Sequence, residues 1–450
     1  MFGNDSKPKS SLAGEALQAH FGKVSIQELV TSSRTFPITS RVDLQATLEQ
    51  FLTKQFKADL IGFHSQYGGH ETITVAHLVR AGDYPVVVSP LQYEEVDVGE
   101  VAPARCLKNG VWLSSEKETP FAVLVSPAGR FGVGEGVHLE IAVPPGQGGL
   151  DFARKFFDDV SKQLVAVCAY RGKMLSFEIS GQFTGSVSGV RVHKLSPVRR
   201  DEVVLPEKTL RLLERNVHDF IRQREKLRGA GMAAKKGLLF YGPPGTGKTH
   251  TIRYLASQLP DHTTFLVTAE HMGLLEQYFQ LARHLQPAVV VIEDVDLIAR
   301  SRERMRSGCE ENLLNKLLNE MDGLREDASV LFVLTTNHPE ELEQALASRP
   351  GRIDQAIEFP LPDDEGRKKL ARLYGRNLSV PDGVAETIVR RTKNASGAFI
   401  KELMRRSAQN LFQSDTGGQL EVPHVDTALD EMLFAGGSLN LKLLGGAVQE

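Results

Sequence analysis

The stretch GLLFYGPPGTGKT, residues 237–249, decides the fold of the second half of this chain. Its first five residues predict a buried strand, and the helical pattern of residues 247–259 ends at Pro260. Between them lies the pattern G-x-x-x-x-G-K-[ST], whose glycines let consecutive backbone N–H groups converge on phosphate oxygens. A simple glycine turn is the alternative, but the strand before the pattern and the helix after it favour a phosphate-binding loop.

Every residue of this loop is a candidate nucleotide contact. Lys248 is expected to reach the β- and γ-phosphates, and the hydroxyl of Thr249 is expected to bind Mg²⁺. The other candidate contacts are Gly242, Pro243, Pro244, Gly245, Thr246 and Gly247. The loop therefore predicts a site for a nucleoside triphosphate with magnesium.

Strand and helix patterns alternate outward from the loop. The predicted strands are residues 237–241, 262–268, 288–293, 329–336 and 355–359, and predicted helices separate the first four. This alternation predicts a parallel, doubly wound α/β sheet with helices on both faces. Only helical patterns follow, which predicts a small helical subdomain over 363–434 and a loosely ordered tail over 435–450.

The sequence changes character near residues 195–206, where two prolines and a cluster of mixed charge interrupt it. Before this junction, helical patterns at 41–56 and 150–165 accompany strand patterns at 71–79, 121–126 and 137–143, which together predict an α+β domain. The predicted division is 1–195 for a domain that recognises a substrate or partner, 196–236 for a linker and entry helix, 237–362 for the α/β subdomain, 363–434 for the helical subdomain and 435–450 for the tail.

Polar side chains follow two of the predicted strands in the second half. Glu293 and Asp294 follow one apolar run, and Asn337 follows the next. Open α/β sheets bind ligands at the carboxyl ends of their strands, and two carboxylates there are costly unless they serve a cation or water. An amide in this place can hydrogen-bond the attacking water or the γ-phosphate. The alternatives are a solvated strand end and an asparagine that starts a turn.

The segment SRPGRID places Arg349 and Arg352 three residues apart around a Pro-Gly pair. A guanidinium stabilises charge that develops on a transferred phosphoryl group and contributes about 10³–10⁵ in rate. Spacing alone is more typical of two solvated arginines, so the case for these residues depends on the motifs around them.

These motifs, in this order, resemble the AAA family of ring ATPases over about residues 203–434. KKGLLFYGPPGTGKT resembles the Walker A segment, VVVIEDVDLIARSR resembles Walker B, and LTTNHPEELEQALASRPGRID resembles sensor 1 followed by the arginine fingers. The turn at Asp322-Gly323 resembles the family's inter-subunit signalling turn. Ser396-Gly397-Ala398 resembles the helical-domain signature that touches the nucleotide, so Gly397 and Ala398 are further candidate contacts.

The resemblance implies ATP with Mg²⁺ as cofactors and hydrolysis to ADP and phosphate. It implies that Glu293 faces the metal, Asp294 orients the attacking water and Asn337 serves as sensor 1. By the same resemblance, Arg349 and Arg352 act on ATP held by the neighbouring subunit. A residue supplied from a neighbour implies a homo-oligomeric ring, usually a hexamer.

Three features depart from the family's usual pattern. Most members have Asp-Glu in Walker B, whereas this chain has Glu293-Asp294, and the shorter Asp294 predicts slower hydrolysis. The span from Thr268 to Phe279 is too short for the usual first pore loop and lacks its aromatic–aliphatic–Gly sequence, and Tyr278 is expected in the core. Both features are similar to the mitochondrial ATPases that export the folded Rieske iron–sulfur protein. Phe399 stands where an acidic residue often follows Ser-Gly-Ala.

Composition and charge limit the other classes of function. A net charge of −3 gives no basic footprint for nucleic acid, although the arginine run at 300–306 keeps a DNA-remodelling role open. No run of about 18 apolar residues predicts a membrane span, and the polar N-terminus lacks the core of a signal peptide. Three widely separated cysteines predict neither a disulfide framework nor a zinc site. We therefore expect a cytoplasmic protein.

The favoured interpretation is an ATPase ring that remodels a protein or complex recruited by residues 1–195. One alternative is a folded-protein translocase or assembly chaperone, which the Glu-Asp order and the short pore loop favour. Another is a nucleotide-switched binding scaffold with slow hydrolysis. The identity of the protein client does not follow from the residues.

Overall fold

The computed structural model describes residues 12–65, 71–80, 84–117, 119–130, 133–180, 186–297, 312–340, 342, 352–414 and 418–435. The chain divides into two compact units, Met1–His193 and Lys194–Glu450, called here the first unit and the second unit. Four features noted in the sequence lie outside the described residues, namely the arginine run at 300–306, Cys309, Arg349 and the tail beyond residue 435.

The first unit is an antiparallel sheet with helices. Its helices are α1 (Ala13–Phe21), α2 (Arg41–Leu48, continued by a π-helical turn over Glu49–Gln55), α3 (Val75–Val79) and α4 (Gln147–Ala166). Its strands are β1 (Val30–Pro37), β2 (Asp59–His64), β3 (Val87–Ser89), β4 (Gln92–Val96), β5 (Ala104–Glu116), β6 (Thr119–Arg130), β7 (Val133–Val143), β8 (Met174–Ser180) and β9 (Ser186–Val192). The sheet has the order β1-β7-β6-β5-β2-β3, with β4 on β5. Strands β8 and β9 pair with each other outside this sheet, and all of these pairs are antiparallel.

Strand β6 shows how the first unit builds two cores on one sheet. Successive residues of a strand point to opposite faces. Val123 lies in the cluster that contains Phe156 of α4, whereas Leu124 lies in the cluster that contains Leu17 of α1. Both valine and leucine are fully buried. The continuous apolar run that predicted this strand is therefore explained by helices on both faces of the sheet.

The strand predicted over 71–79 is wrong, because this segment contains helix α3. The helix is capped by the ring of His77, whose Nδ1 accepts from the backbone N–H of Thr74 at 3.1 Å. The backbone N–H of Val75 donates to Oε2 of Glu140 on β7 at 2.7 Å. The apolar spacing of so short a segment fits a strand or a helical turn, and the local cap together with the distant partner Glu140 favours the helix.

Asp43 is a buried carboxylate in α2 whose charge opposes folding of the first unit. Its side chain accepts from the backbone N–H of Ala169 at 2.7 Å and the residue is 3% exposed. Burial raises the pKa of Asp43 to about 6, and the bond from Ala169 and the charge of Arg171 only partly oppose this shift. Because the folded pKa exceeds the unfolded value, the charged form costs stability above pH 6, and this cost disappears as the pH falls towards 4.

We expect Asp43→Asn to raise the free energy of unfolding of the first unit at pH 7 by about 1–3 kcal/mol, since the amide keeps an acceptor for Ala169 and removes the charge. Trp112 is the only tryptophan of the chain and is 1% exposed in the same unit, so its fluorescence reports denaturant unfolding there. The gain should disappear near pH 4, and the exposed control Asp158→Asn should change little. Equal stability of the variant and the wild type at pH 7 would contradict this account.

The second unit joins a parallel sheet to a helical subdomain. Its sheet region contains α5 (Glu207–Glu214), α6 (Phe220–Gly229), β10 (Lys236–Tyr241), α7 (Lys248–Gln258), β11 (Thr263–Val267), α8 (Leu275–His284), β12 (Ala288–Ile292), α9 (Asn312–Asp322), β13 (Val330–Thr336) and β14 (Gln355–Glu358). The helical subdomain contains α10 (Asp364–Tyr374), α11 (Asp382–Arg391), α12 (Gly397–Gln413) and α13 (Val422–Asp430). The parallel strands pair in the order β14-β10-β13-β12-β11.

This architecture confirms the predicted fold class, a doubly wound α/β sheet followed by helices and preceded by an α+β unit. Every residue of β12 and β13 is buried, which explains their uninterrupted apolar sequences. Tyr278 of α8 is fully buried, as expected from the sequence. Since β10, β12 and β13 are neighbours and parallel, the residues that follow them meet at one edge of the sheet. Among the described residues, no helix is long and apolar enough to cross a bilayer.

Candidate nucleotide-binding site

The phosphate loop connects β10 to α7, which begins at Lys248. Gly247, the residue before the helix, has a φ of 98°, a value that glycine adopts without the steric cost of a side chain. A Cβ atom at Gly245 would lie 2.8 Å from the Cβ of Ala398, so only glycine allows α12 to approach the loop this closely. The glycines of the loop therefore serve two purposes. Gly247 allows the backbone to turn into the helix, and Gly245 leaves room for α12 to pack against the loop.

Lys248 is buried against the loop. Its Nζ donates to the carbonyl oxygens of Gly242 at 2.7 Å and Pro243 at 3.1 Å, and to Oδ1 of Asn337 at 2.8 Å. Burial lowers the pKa of Lys248 to about 8, although two nearby aspartates oppose this shift. An ammonium that is bonded to neutral oxygens is well placed to exchange them for phosphate oxygens, which bind it more strongly.

The two carboxylates that follow β12 contact different partners. The hydroxyl of Thr249 donates to Oε1 of Glu293 at 2.7 Å. Nδ2 of Asn337 donates to Oδ1 of Asp294 at 3.1 Å. The amide of Asn337 thus connects Asp294 to Lys248, and the Thr249–Glu293 pair forms a second hydrogen-bonded group beside these three side chains.

Sequence reasoning missed two residues that support this network. Asp296 is 2% exposed, and its Oδ1 accepts from the hydroxyl of Thr336 at 2.8 Å and from the backbone N–H of Asn337 at 3.2 Å. The hydroxyl of Thr335 accepts from the backbone N–H of Asp294 at 3.0 Å. The available signal was the polar run of Thr335, Thr336 and Asn337 at the end of an otherwise apolar strand.

A cavity of about 450 Å³ lies beside the loop. Its lining includes the loop, residues 203–206, Tyr374 of α10, and Gly397 and Ala398 of α12. The backbone N–H of Ala398 donates to the carbonyl oxygen of Gly245 at 3.1 Å, so the helical subdomain forms one wall. The volume lies in the usual range for ligand sites. Residues 203–206 and Tyr374 were not identified from the sequence, because an apolar run before a helix has no distinctive pattern.

The residues present also fit a magnesium ion. Mg²⁺ usually takes one or two oxygen ligands from the protein and completes its octahedron with phosphate and water. The adjacent oxygens of Thr249 and Glu293 match that requirement. Within the described part of the chain, no three His, Cys, Asp or Glu side chains cluster as a self-sufficient metal site.

Arg352 lies at the opposite end of the sheet from the loop. A Cβ atom at Gly237 would lie 1.9 Å from the carbonyl oxygen of Arg352, so its backbone packs where β10 begins. The loop starts after β10 ends, five residues and about 16 Å further on. Nε of Arg352 donates to Oδ1 of Asp322 at 3.0 Å, and its Nη2 bonds to the same carboxylate. The structure therefore does not bring Arg352 to the phosphate loop of its own chain.

The fold and this site define a P-loop nucleotide-binding protein. A glycine loop joins a central parallel strand to a helix, a buried lysine lies under the loop, and carboxylates follow the neighbouring strand. Strand order and connection place all of these groups at the carboxyl edge of the sheet, where open α/β folds bind their ligands.

Comparison with known proteins shows which family of P-loop proteins this domain resembles. Residues 238–361 match the family described as ATPase family associated with various cellular activities (AAA). The chain is 32% identical over 224 residues to the ATP-dependent zinc metalloprotease FtsH of Ureaplasma parvum, which covers 48% of this chain and 31% of that protein. It is 30% identical over 229 residues to the proteasome-activating nucleotidase of Methanothermobacter thermautotrophicus, covering 48% of this chain and 56% of the relative.

A third relative is the cell division cycle protein 48 homolog of Archaeoglobus fulgidus, 29% identical over 235 residues that make up 50% of this chain and 31% of the relative. The chain thus spans between about a third and just over half the length of these curated relatives. Residues 238–361, which begin just before the phosphate loop, thus match the AAA ATPase family as a domain of this chain.

Proposed function

We propose that this protein hydrolyses ATP to ADP and phosphate with Mg²⁺. The proposal is carried by one observation, the hydrogen-bonded network that joins Lys248, Asn337 and Asp294 beside the Thr249–Glu293 pair. Lys248 binds the β- and γ-phosphates, and Thr249 and Glu293 hold the metal, which neutralises phosphate charge.

In the same proposal, Asp294 accepts a proton from the attacking water, and the amide of Asn337 orients that water and the γ-phosphate. The bond from water oxygen to phosphorus forms as the bond to the β-phosphate oxygen breaks, and ADP leaves. The loop residues other than the two prolines bind phosphate through backbone N–H groups. Gly397 and Ala398 contact the nucleotide from the helical subdomain.

The first experiment is a test of magnesium-dependent ATP turnover in the full chain and in Lys248→Ala. We expect the wild type to release phosphate only with Mg²⁺, and we expect the variant to bind ATP about 10–100-fold more weakly because a charge-assisted contact is lost. A matched control is Lys393→Ala, which removes an exposed lysine of the helical subdomain. No phosphate release by the wild type at any magnesium concentration would contradict the proposed activity.

We further propose that the active form is a homo-oligomeric ring, with a hexamer as the expected size, in which Arg349 and Arg352 act on ATP held by the neighbouring subunit. The position of Arg352 supports this assembly. An arginine side chain extends about 7 Å, less than half of the estimated 16 Å between the start of β10 and the loop. The guanidinium is accordingly too far from its own phosphate site, so any phosphate site that it serves belongs to another subunit.

We also propose that the first unit recruits a protein client and that ATP turnover remodels it. A second cavity, of about 610 Å³, supports this proposal. Phe63 and Leu107 contribute apolar surface to its lining, and Arg41 and Glu94 contribute an ion pair with a separation of 2.7 Å. Mixed apolar and polar surface of this size suits the side chains of an extended protein segment.

A folded-protein translocase or assembly chaperone is the second candidate, and the segment after β11 favours it. Met272 and Leu274 in the 3₁₀ turn Ala269–Leu274 are buried, as is Tyr278 in the following helix. The described residues between β11 and α8 therefore present no aromatic side chain to a threaded polypeptide. This observation favours action on a folded client over threading.

A further inference from the structure

Asp294 has an unusual backbone conformation for a residue at a strand end. Its φ is +50°, in the left-handed region that non-glycine residues rarely adopt. Aspartate tolerates this region better than most residues, but the conformation persists only where the surroundings hold it. In this position the backbone directs the short side chain to Asn337, with 3.1 Å between Oδ1 and Nδ2.

The hydroxyl of Thr335 holds the N–H of Asp294, while the carbonyl oxygen of Asp294 accepts from the N–H of Leu297 at 3.0 Å. Thr335 is the penultimate residue of β13, is 2% exposed, and accepts the backbone N–H of Asp294 at 3.0 Å. In the register of the two strands, Ile292 of β12 lies beside Leu334 of β13, so Thr335 is the next residue of β13 and faces the start of the turn. The amide N–H of Asp294 is part-buried and would be costly to leave without an acceptor.

Because aspartate has a short side chain, the position of the Asp294 backbone largely determines where its carboxylate lies. An aspartate has one methylene fewer than a glutamate, so it has fewer rotatable bonds with which to correct a displaced backbone. Asn337, its partner, is held independently through the bond from its own N–H to Asp296 at 3.2 Å. Each of the two groups at the site of water attack thus has its own support, Thr335 for Asp294 and Asp296 for Asn337.

We propose that Thr335 is a positioning residue for hydrolysis, whose hydroxyl fixes the left-handed backbone of Asp294 and so aims its carboxylate at the attacking water. The inference rests on the proposed ATPase activity. Without the hydroxyl, Asp294 relaxes towards a common backbone conformation and its carboxylate leaves Asn337. We expect nucleotide binding to change little, because neither Lys248 nor the Thr249–Glu293 pair bonds to Thr335 or Asp294, and Lys248 keeps its bonds to the loop carbonyls when Asp294 leaves Asn337.

The test compares Thr335→Val, which removes the hydroxyl and keeps the shape, with Thr335→Ser, which keeps the hydroxyl. We expect Thr335→Val to lower kcat about 10–100-fold while KM and the dissociation constant for ATP stay within about twofold, and we expect Thr335→Ser to retain most of the wild-type kcat. The matched control is Thr264→Val, another buried threonine, in strand β11 of the same sheet, which should leave kcat unchanged.

A second experiment tests whether Thr335 acts on hydrolysis through Asp294. In an Asp294→Asn background, Thr335→Val should cause no further loss of kcat, since the group that it positions is already inactive. An unchanged kcat in folded Thr335→Val, or an equal further loss in the double variant, would overturn the inference. If Thr335→Val does not fold, Thr335→Ala is measured in the same way. Absence of turnover in the wild type would instead count against the proposed activity itself.

Discussion

Asp294→Asn is expected to bind ATP with Mg²⁺ as the wild type does and to hydrolyse it about 10²–10⁴-fold more slowly, the range that a positioned general base contributes. Asparagine has the same shape and keeps an oxygen that can accept from Nδ2 of Asn337, but it cannot take a proton from water. The bonds of Lys248 and of the Thr249–Glu293 pair do not involve Asp294. Phosphate release and binding of a fluorescent ATP analogue measure the two effects separately.

Glu293→Gln is the matched comparison, because the two carboxylates are adjacent in sequence and differ in their partners. The bond from the hydroxyl of Thr249 predicts that Glu293 supports the metal, so this variant should need more Mg²⁺ for half-maximal activity. Wild-type turnover in Asp294→Asn would show that another group activates water. An exchange of the two phenotypes would assign the base to Glu293 and the metal contact to Asp294.

A variant that binds ATP without hydrolysing it also tests the proposed client. If the first unit recruits a protein and ATP turnover releases it, Asp294→Asn should retain that protein in the presence of ATP and lose it when ATP is withdrawn. Affinity capture with and without ATP, with Lys248→Ala as the control that cannot bind nucleotide firmly, measures this dependence. A set of captured proteins that is the same with and without ATP would count against remodelling.

The second unit followed closely from its sequence because each strand is buried on both faces. Burial on both faces requires a continuous apolar run, and such a run remains visible whatever the tertiary partners are. The positions of Glu293, Asp294 and Asn337 could be predicted for the same reason, since parallel strands end at one edge. Their pairing could not, because whether Asn337 contacts Asp294 or Glu293 depends on a backbone angle that sequence pattern does not encode.

Contacts between segments distant in sequence explain what the sequence did not reveal. Helix α3 forms where a strand was predicted because Glu140, more than sixty residues later, accepts the N–H of Val75. The sequence did not identify Asp296 as a support for Asn337. An aspartate at this position is equally consistent with a solvated and a buried side chain. In each case a polar side chain from another element satisfies a backbone group, and periodicity carries no information about that partner.

Arg352→Ala is expected to lower kcat about 10³-fold or more while leaving ATP binding nearly unchanged, because the guanidinium acts on charge that develops only in the transition state. Arg352 is also bonded to Asp322, and its side chain is 12% exposed, so loss of activity has to be separated from loss of local structure. Asp322→Asn provides that separation, since it weakens the ion pair and keeps the guanidinium. It should retain far more activity than Arg352→Ala.

Mixing two inactive variants then decides where Arg352 acts. Lys248→Ala subunits have a defective phosphate site and an intact Arg352, whereas Arg352→Ala subunits have the reverse. If the arginine serves the neighbouring subunit, a site is complete where an Arg352→Ala subunit supplies the phosphate loop and a Lys248→Ala neighbour supplies the arginine. Random assembly of equal amounts makes about a quarter of interfaces complete in this way. If it served its own subunit, every site would lack one component and the mixture would stay inactive. Recovery of turnover on mixing is therefore the expected result, and continued inactivity of rings shown by cross-linking to contain both variants would contradict a shared site.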